Sequence, residues 1–310
     1  MGRGDLTNAE WDRLKSFLPP GGARGGRWSD HRRVINGVLY RVRTGVQWRD
    51  LPERFGPWET VYKRHRRWSA DGTWKMLLSR IQAAQDAAGQ IDWEVSVDST
   101  AVRAHQHAAG ARKTPAAAVS QKGAGARDEP GRSGVAETDG PAGGGGQVGE
   151  CLGRSRGGFT TKIHLVADGR CRPLAFVLTP GHYGDGPQLA RVLEEVSVPR
   201  VGVGRPRKRP DRVLADKAYT SRGNRRYLRR RGIPHTIPER LDQQRHRQNR
   251  GSRGGRPTEF DSELYKKRNT VERAINRLKS FRAVATRYEK RAYTYLGTVT
   301  VAALMVWLRT

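Results

Sequence analysis

A chain of 310 residues is long enough for a sizeable core and about two domains, and its 59 Lys and Arg against 30 Asp and Glu leave a net charge of +29. Such an excess points to a polyanionic partner, most commonly nucleic acid, because cations that neutralise phosphates release condensed counterions whatever the base sequence. An anionic membrane is the rival, but it calls for a lipidation signal or a basic amphipathic helix beside apolar sequence, and neither stands out.

The opening "MGRGDLTNAEW" has no apolar stretch of the kind that directs export. Residues 7–88 read as a helical unit rich in Trp and Arg. "TNAE" at Thr7–Glu10 has capping-box form, "SDHRRVINGVLYRVRTG" carries a helical apolar period ended by Gly45, and Pro57 suits a helix start. The helix that follows Pro57 sets Lys63, Arg64, Arg66 and Arg67 among Trp58, Tyr62 and Trp68. That composition fits either an aromatic core with a solvated basic face or the duplex-facing helix of a helix-turn-helix-like DNA-binding domain over residues 1–90.

From residue 91 the period changes from helical to alternating. "DWEVSVDSTAV" reads as a strand ending at Asp98, and "FTTKIHLVADG" with "CRPLAFVLTPG" as two strands joined by a turn at Asp168 and Gly169. Between them, Ala108 to Gly157 is Gly/Ala-rich and poor in core residues, so disorder is expected there. "GPQLARVLEEV" is helical, and "DRVLADKAYTSRGNRRYLRRRG" is a strand followed by a basic helix. A short strand at Ile233–Ile237, a polar loop and a helix over 263–280 follow. The order predicts an α/β domain over 91–310, with a mixed sheet covered by helices. The apolar run at 299–308 is too short to cross a bilayer and reads as a packed C-terminal helix. Cys151 and Cys171 lack metal-ligand spacing and do not form a disulfide framework, which fits a reducing cytoplasm.

On the helix over 263–280, Tyr265, Arg268, Glu272 and Lys279 share an arc of roughly 60°, while Val271, Ala274, Ile275 and Leu278 form the neighbouring apolar stripe. Arg268 and Glu272 fit an ordinary solvated i,i+4 pair. They equally fit an acid that holds metal among cations that hold phosphate, provided other carboxylates join it. Asp98 and Asp216 both lie at the ends of apolar strands, where open α/β sheets bind ligands. Clustered carboxylates repel, and hard divalent cations such as Mg²⁺ relieve that repulsion through oxygen; a pair of ions could activate water and stabilise the leaving oxygen of a phosphodiester.

Secondary features are less specific. Lys162 and His164 alternate with Thr160 on a strand face that could line the site, His105 and His107 follow Asp98 but are poor ligands for hard ions, and "GRPRKRP" at 204–210 fits a plain basic loop or a minor-groove hook.

The pattern Tyr265-x2-Arg268-x3-Glu272-x6-Lys279, preceded by "VDST" at Asp98 and "ADKAY" at Asp216, resembles the signature of DDE transposases of bacterial insertion sequences. "GGRPTEFDSELYKKRNTVERAINRLKSFRAVATRYEK" and "FTTKIHLVADGRCRPL" are similar to the insertion-sequence-five group in particular, and the likeness spans nearly the whole chain, including "LTNAEWDRLKSFLP" and "GVQWRDLPERFGPW". The resemblance implies an RNase H-like catalytic domain behind a small helical DNA-binding domain. It implies Asp98, Asp216 and Glu272 as a triad for two Mg²⁺ ions, with Mn²⁺ able to substitute, and Tyr265, Arg268 and Lys279 as contacts to the cleaved end. It further implies hydrolysis at terminal inverted repeats, attack of the 3′ hydroxyl on target DNA, and a homodimer or larger assembly that synapses the ends. A nuclease without strand transfer, or a DNA-binding protein without chemistry, are the alternatives.

Overall fold

In the computed structural model the described residues are 2, 4–19, 30–111 and 148–310. Four helices open the chain: α1 (Asn8–Lys15), α2 (His31–Thr44), α3 (Trp58–Ala70) and α4 (Thr73–Ala87). Thr7 and Glu10 form the expected reciprocal capping box on α1, and α2 ends on Gly45 in the left-handed conformation (φ 72°).

The sheet begins with β1 (Glu94–Ala104), followed by the short α5 (Gln106–Ala109), β2 (Gly153–Ser155), β3 (Gly158–Ala167) and β4 (Pro173–Pro180). After α6 (Gln188–Glu194) come β5 (Arg212–Ala215), α7 (Arg222–Arg230) and β6 (His235–Thr236). The remainder is α8 (Leu241–Asn249), α9 (Ser262–Lys266), α10 (Asn269–Lys279), α11 (Arg282–Ala285), β7 (Thr286–Arg287) and α12 (Ala292–Leu308). β4, β3 and β1 run antiparallel to their neighbours, whereas β5 and β6 join β1 in parallel, so the main order is β4-β3-β1-β5-β6. β2 extends the β4 side and β7 pairs with the far end of β1. Three antiparallel strands followed by two parallel ones, with helices on the faces, are the RNase H-like arrangement.

α12 is apolar on every side, and Thr294, Tyr295 and Gly297 through Leu308 are buried, the mark of a helix enclosed by protein. It packs on α2, α3 and α4 and on β4, so the opening helices and the sheet share one core. Its close approach to α3 requires Gly297: a Cβ there would fall 1.9 Å from Ser69 Oγ. Trp307 Nε1 donates to Pro173 O at 2.6 Å, and the Arg172 guanidinium lies 4.1 Å from the Trp307 ring centroid. Among the described residues, no helix is long and apolar enough to cross a membrane.

Four sequence expectations change. Most of the 108–157 segment lies outside the described residues, but its described ends are ordered, with Ala108, Glu150 and Leu152 buried and β2 paired to β3. The polar loop before α9 contains α8, which buries none of its residues and so leaves no apolar period to read. The helix over 263–280 is two helices, α9 and α10, with Arg268 as the N-cap of the second. Asp98 does not end its strand; β1 continues to Ala104 because it pairs with β3 through Arg103.

The β3–β4 turn is built on a buried ion pair. Asp168 and Arg172 are 0 % and 1 % exposed, and Asp168 accepts from the Arg170 and Arg172 backbone N–H groups and from Arg172 Nε and Nη2. Breaking such a pair strands a buried charge, so Asp168→Ala should cost about 3–5 kcal/mol, measured as a lower midpoint in urea unfolding; a midpoint within error of wild type would refute this account of the turn.

Candidate active site

The parallel ladder of β1 and β5 ends with Val97 opposite Ala215. The next residue on each strand is an aspartate, Asp98 and Asp216, so backbone pairing alone sets the two carboxylates side by side. Asp98 Oδ1 accepts from Ser99 N at 2.7 Å, and Asp216 Oδ1 accepts from Ala218 N at 2.7 Å, where it caps the short turn over Lys217–Tyr219. Both side chains are thereby held by local backbone.

α10 delivers the third acid. Its buried stripe of Val271, Ala274, Ile275 and Leu278 docks on β1 and β3, and Thr270 Oγ1 donates to Ser96 Oγ at 2.9 Å. Glu272 then faces the two aspartates. Arg268 stands between them: Nη1 reaches Asp98 Oδ2 at 3.3 Å and Nη2 reaches Glu272 Oε1 at 2.5 Å. The Arg268–Glu272 pair is therefore present, with its side chains 20 % and 46 % exposed, and Arg268 extends it to Asp98.

Burial pushes the Asp98 carboxyl above its ordinary range; the neighbouring Asp216 and Glu272 charges add to the rise, while the Ser99 N–H and Arg268 oppose it. Burial likewise raises the Tyr265 hydroxyl, with Asp216, Asp98 and Glu272 contributing against Arg268. Tyr265 thus lies in the field of all three acids, and its ring is 5.7 Å from the Arg268 guanidinium. Lys279 reaches β1 from the far end of α10, donating to Thr100 Oγ1 at 3.0 Å.

Lys162 is engaged elsewhere. Its side chain is 16 % exposed, and its ammonium donates to Asp185 Oδ1 at 2.9 Å and to Tyr183 O at 2.8 Å, which leaves one of its three N–H donors. Asp185 also accepts from Ser99 Oγ at 2.6 Å, which ties the residue after Asp98 to β3. Sequence reasoning missed Asp185, because "GHYGDG" reads only as a turn. His164 is buried beside this network with Nε2 at 2.9 Å from Thr179 Oγ1, and burial lowers its pKa to about 4, leaving a neutral ring. His105 and His107 pack edge-on at 4.6 Å against each other. Lys63, Arg64, Arg66 and Arg67 sit on α3, which packs on α2, α4 and α12; Lys63, Arg66 and Arg67 are exposed, and Arg64 lies 3.1 Å from His31 Nδ1. In the 204–210 loop, Arg207 stacks 4.1 Å from the Trp93 ring and pairs with Asp211 at 2.7 Å.

The family model described as "Transposase DDE domain" matches residues 90–307, and one described as "Putative transposase of IS4/5 family" matches residues 6–78. The chain belongs to the DDE transposases. Over 151 residues, 49 % of this chain and all of the relative, this transposase is 35 % identical to a protein named as a transposase for insertion sequence element IS6501 of Brucella ovis. It is 36 % identical, over 43 % of its length and 55 % of the relative, to one named for element IS402 of Burkholderia cepacia. A slight likeness, TM-score 0.22 at 14 % identity over 96 % of this chain and 83 % of the other, links it to the crystal structure of the Mos1 mariner paired end complex with Mn.

The transposase thus brings three carboxylates to one face with a guanidinium among them. As it stands, no group of three acidic, His or Cys side chains among the described residues is gathered closely enough to hold an ion. The donor set is nonetheless all carboxylate oxygen, the set hard divalent cations take, and Arg268 already supplies positive charge between two of its members.

Asp98 retains its proton more tightly in the folded chain than in the unfolded one. Stability therefore falls as pH rises through the window between the unfolded value, about 3.9, and the higher folded one, and below that window the penalty is absent. Asp98→Asn copies the protonated shape. It should raise the melting temperature of the metal-free transposase near neutral pH and leave it unchanged near pH 3, as followed by circular dichroism; a lower melting temperature at neutral pH would contradict the repulsion described.

Proposed function

We propose that Asp98, Asp216 and Glu272 are the catalytic carboxylates of this transposase and that they hold two Mg²⁺ ions, or Mn²⁺ in their place. The observation that carries this reading is the adjacency of Asp98 and Asp216 at the end of the β1–β5 ladder, with Glu272 facing them from a docked helix. When bound, the ions would supply Lewis acidity toward a phosphodiester and lower the pKa of an attacking water. The chain's own residues do the positioning. The Ser99 and Ala218 N–H groups fix Oδ1 of each aspartate, Oδ2 of Asp98 is held by Arg268, and the buried stripe of α10 sets the depth of Glu272. Arg268 keeps the acids from repelling one another before ions arrive. With ions held by the three acids, its guanidinium would be available to a DNA phosphate beside the scissile bond, a bidentate role that suits Arg.

Tyr265 and Lys279 flank that phosphate on the same face. The partner is duplex DNA, first the terminal inverted repeats of the element and then the target, with residues 1–90 gripping the duplex through α3 and residues 91–310 carrying the chemistry. A homodimer or larger assembly holds two ends together, so that each 3′ hydroxyl released by hydrolysis attacks the target strand. A nuclease that only cleaves would share every one of these residues, and the joining of ends separates the two.

Asp216→Asn should abolish cleavage of a labelled terminal-repeat duplex by several orders of magnitude in Mg²⁺, while a gel shift without metal shows undiminished binding. Near wild-type cleavage by this variant would remove Asp216 from the triad. Arg268→Ala and Lys279→Ala should each weaken end binding and reduce the slope of log affinity against log salt by about one unit. An unchanged slope with a lowered melting temperature would assign both cations to structure alone.

A further inference from the structure

The loop between α6 and β5 carries the "GRPRKRP" run, and neither the carboxylate site nor α3 accounts for it. Its stem is fixed. Val198 and Arg207 exchange two backbone hydrogen bonds, Val198 N donating to Arg207 O at 3.0 Å and Arg207 N to Val198 O at 2.8 Å. Val198 is buried, and the Arg207 guanidinium is taken up by the Trp93 ring and by Asp211. Residues 199–206 therefore project from an anchored base. Trp93 stands just before Glu94, which pairs with Arg212 at the other end of the β1–β5 ladder from the acids, about 13 Å along β1 from Asp98.

The tip is thin, basic at its flanks and apolar at its apex. Gly202 and Gly204 take φ of 100° and 144°, a region that side chains rarely enter, so Val203 stands alone between two residues without side chains. It is fully exposed and Val201 is 69 % exposed, although valine is ordinarily buried. Pro206 keeps Arg205 extended. Arg200, Arg205, Lys208 and Arg209 are exposed and form no ion pair among the described residues, and residues 196–210 contain no acid. The basic surface continues past the loop: Arg231 donates to Lys208 O at 3.2 Å, and from Gly232 onward a groove is lined by Arg212, Arg225, Arg229 and Arg256 together with Glu259 and Asp261. Cations around a thin apolar point match the minor groove of a duplex, about 6 Å wide. Arginines are drawn to its negative potential, and apolar side chains wedge into base steps there and kink the helix. A second copy of this chain, at a net charge of +29, would be repelled by the same cations.

We propose that the 199–206 tip enters the minor groove of duplex DNA, with Arg200 and Arg205 along the groove and Val203 wedged at a base step, so that the duplex is kinked at a point away from the carboxylates. The proposal rests on duplex DNA being the partner and needs neither the triad nor the DNA-facing reading of α3. The full-length chain is titrated, without divalent metal, with three short duplexes of arbitrary sequence whose centres hold A·T, G·C or inosine·C pairs. Inosine lacks the 2-amino group of guanine, so its pairs present an A·T-like minor groove and a G·C-like major groove. The A·T and inosine duplexes should bind alike and about fivefold more tightly than the G·C duplex, and fluorescence transfer between their labelled ends should rise on binding as the duplex bends. Val203→Ser should abolish that rise. Arg205→Gln should remove the preference and lower the slope of log affinity against log salt by about one unit. Both side chains are exposed, and circular dichroism checks that the variants fold. An inosine duplex that binds like the G·C one, or a bend and a preference that persist in both variants, overturns the minor-groove contact and leaves DNA as the partner. Failure to bind any of the duplexes overturns both. Binding to phosphatidylserine vesicles that Val203→Ser removes, with DNA bending unchanged, overturns the proposal in favour of a membrane contact.

Discussion

Everything at the site follows from one backbone constraint, the parallel pairing of β1 with β5. Once Val97 stands opposite Ala215, Asp98 and Asp216 must emerge together, and a third acid on α10 adds to the same negative field. Burial first, and the like charges of the neighbouring acids after it, disfavour ionisation here, and together they raise the pKa of Asp98 and of the Tyr265 hydroxyl. The fold accommodates that cost by docking α10 on an apolar stripe and by placing the Arg268 guanidinium among the acids. In a chain of net charge +29 cations are plentiful, so the informative feature is the concentration of anions and not the presence of an arginine beside them.

The same economy of elements links the opening helices to the sheet. α12 is enclosed on all sides and contacts α2, α3, α4 and β4, while Trp307 and Arg172 tie its last turn to the β3–β4 turn. A shared core of this kind fixes the orientation of α3 relative to the sheet without a flexible hinge between them. Basic side chains on α3 and carboxylates at the end of the β1–β5 ladder therefore stand in a set geometry.

Behind Asp98 the chain spends polar contacts that the reaction itself does not call for. Ser99, Asp185 and Lys162 form a bonded series across β1, the loop after β4 and β3, with neutral His164 packed beside it. Its physical effect is to hold β1 rigid at the residue next to the carboxylate. Lys162, on the strand face that could line the site, is joined through Asp185 to the residue that follows Asp98.

Local pattern determined much of this. The cap at Thr7–Glu10, the stop at Gly45, the hairpin at Asp168, the apolar stripe of α10 and the spacing of Tyr265, Arg268, Glu272 and Lys279 are short-range features governed by helical and strand periods, and they are legible residue by residue. The acids of the site were legible for the same reason, each standing at an apolar strand end or beside an apolar helical stripe. What the sequence could not contain was anything set by distant pairing. The continuation of β1 past Asp98 depends on β3, and α8 buries no residue and so leaves no period. The break between α9 and α10 falls at Arg268, whose side chain turns to Asp98, a residue 170 positions away. Asp185, inside an unremarkable loop, gained its place only when the sheet brought Ser99 and Lys162 to it. Short-range order fixes which residues can do chemistry; long-range strand pairing and helix docking decide which of them meet, because only those contacts bring charges from opposite ends of the chain within a few ångströms.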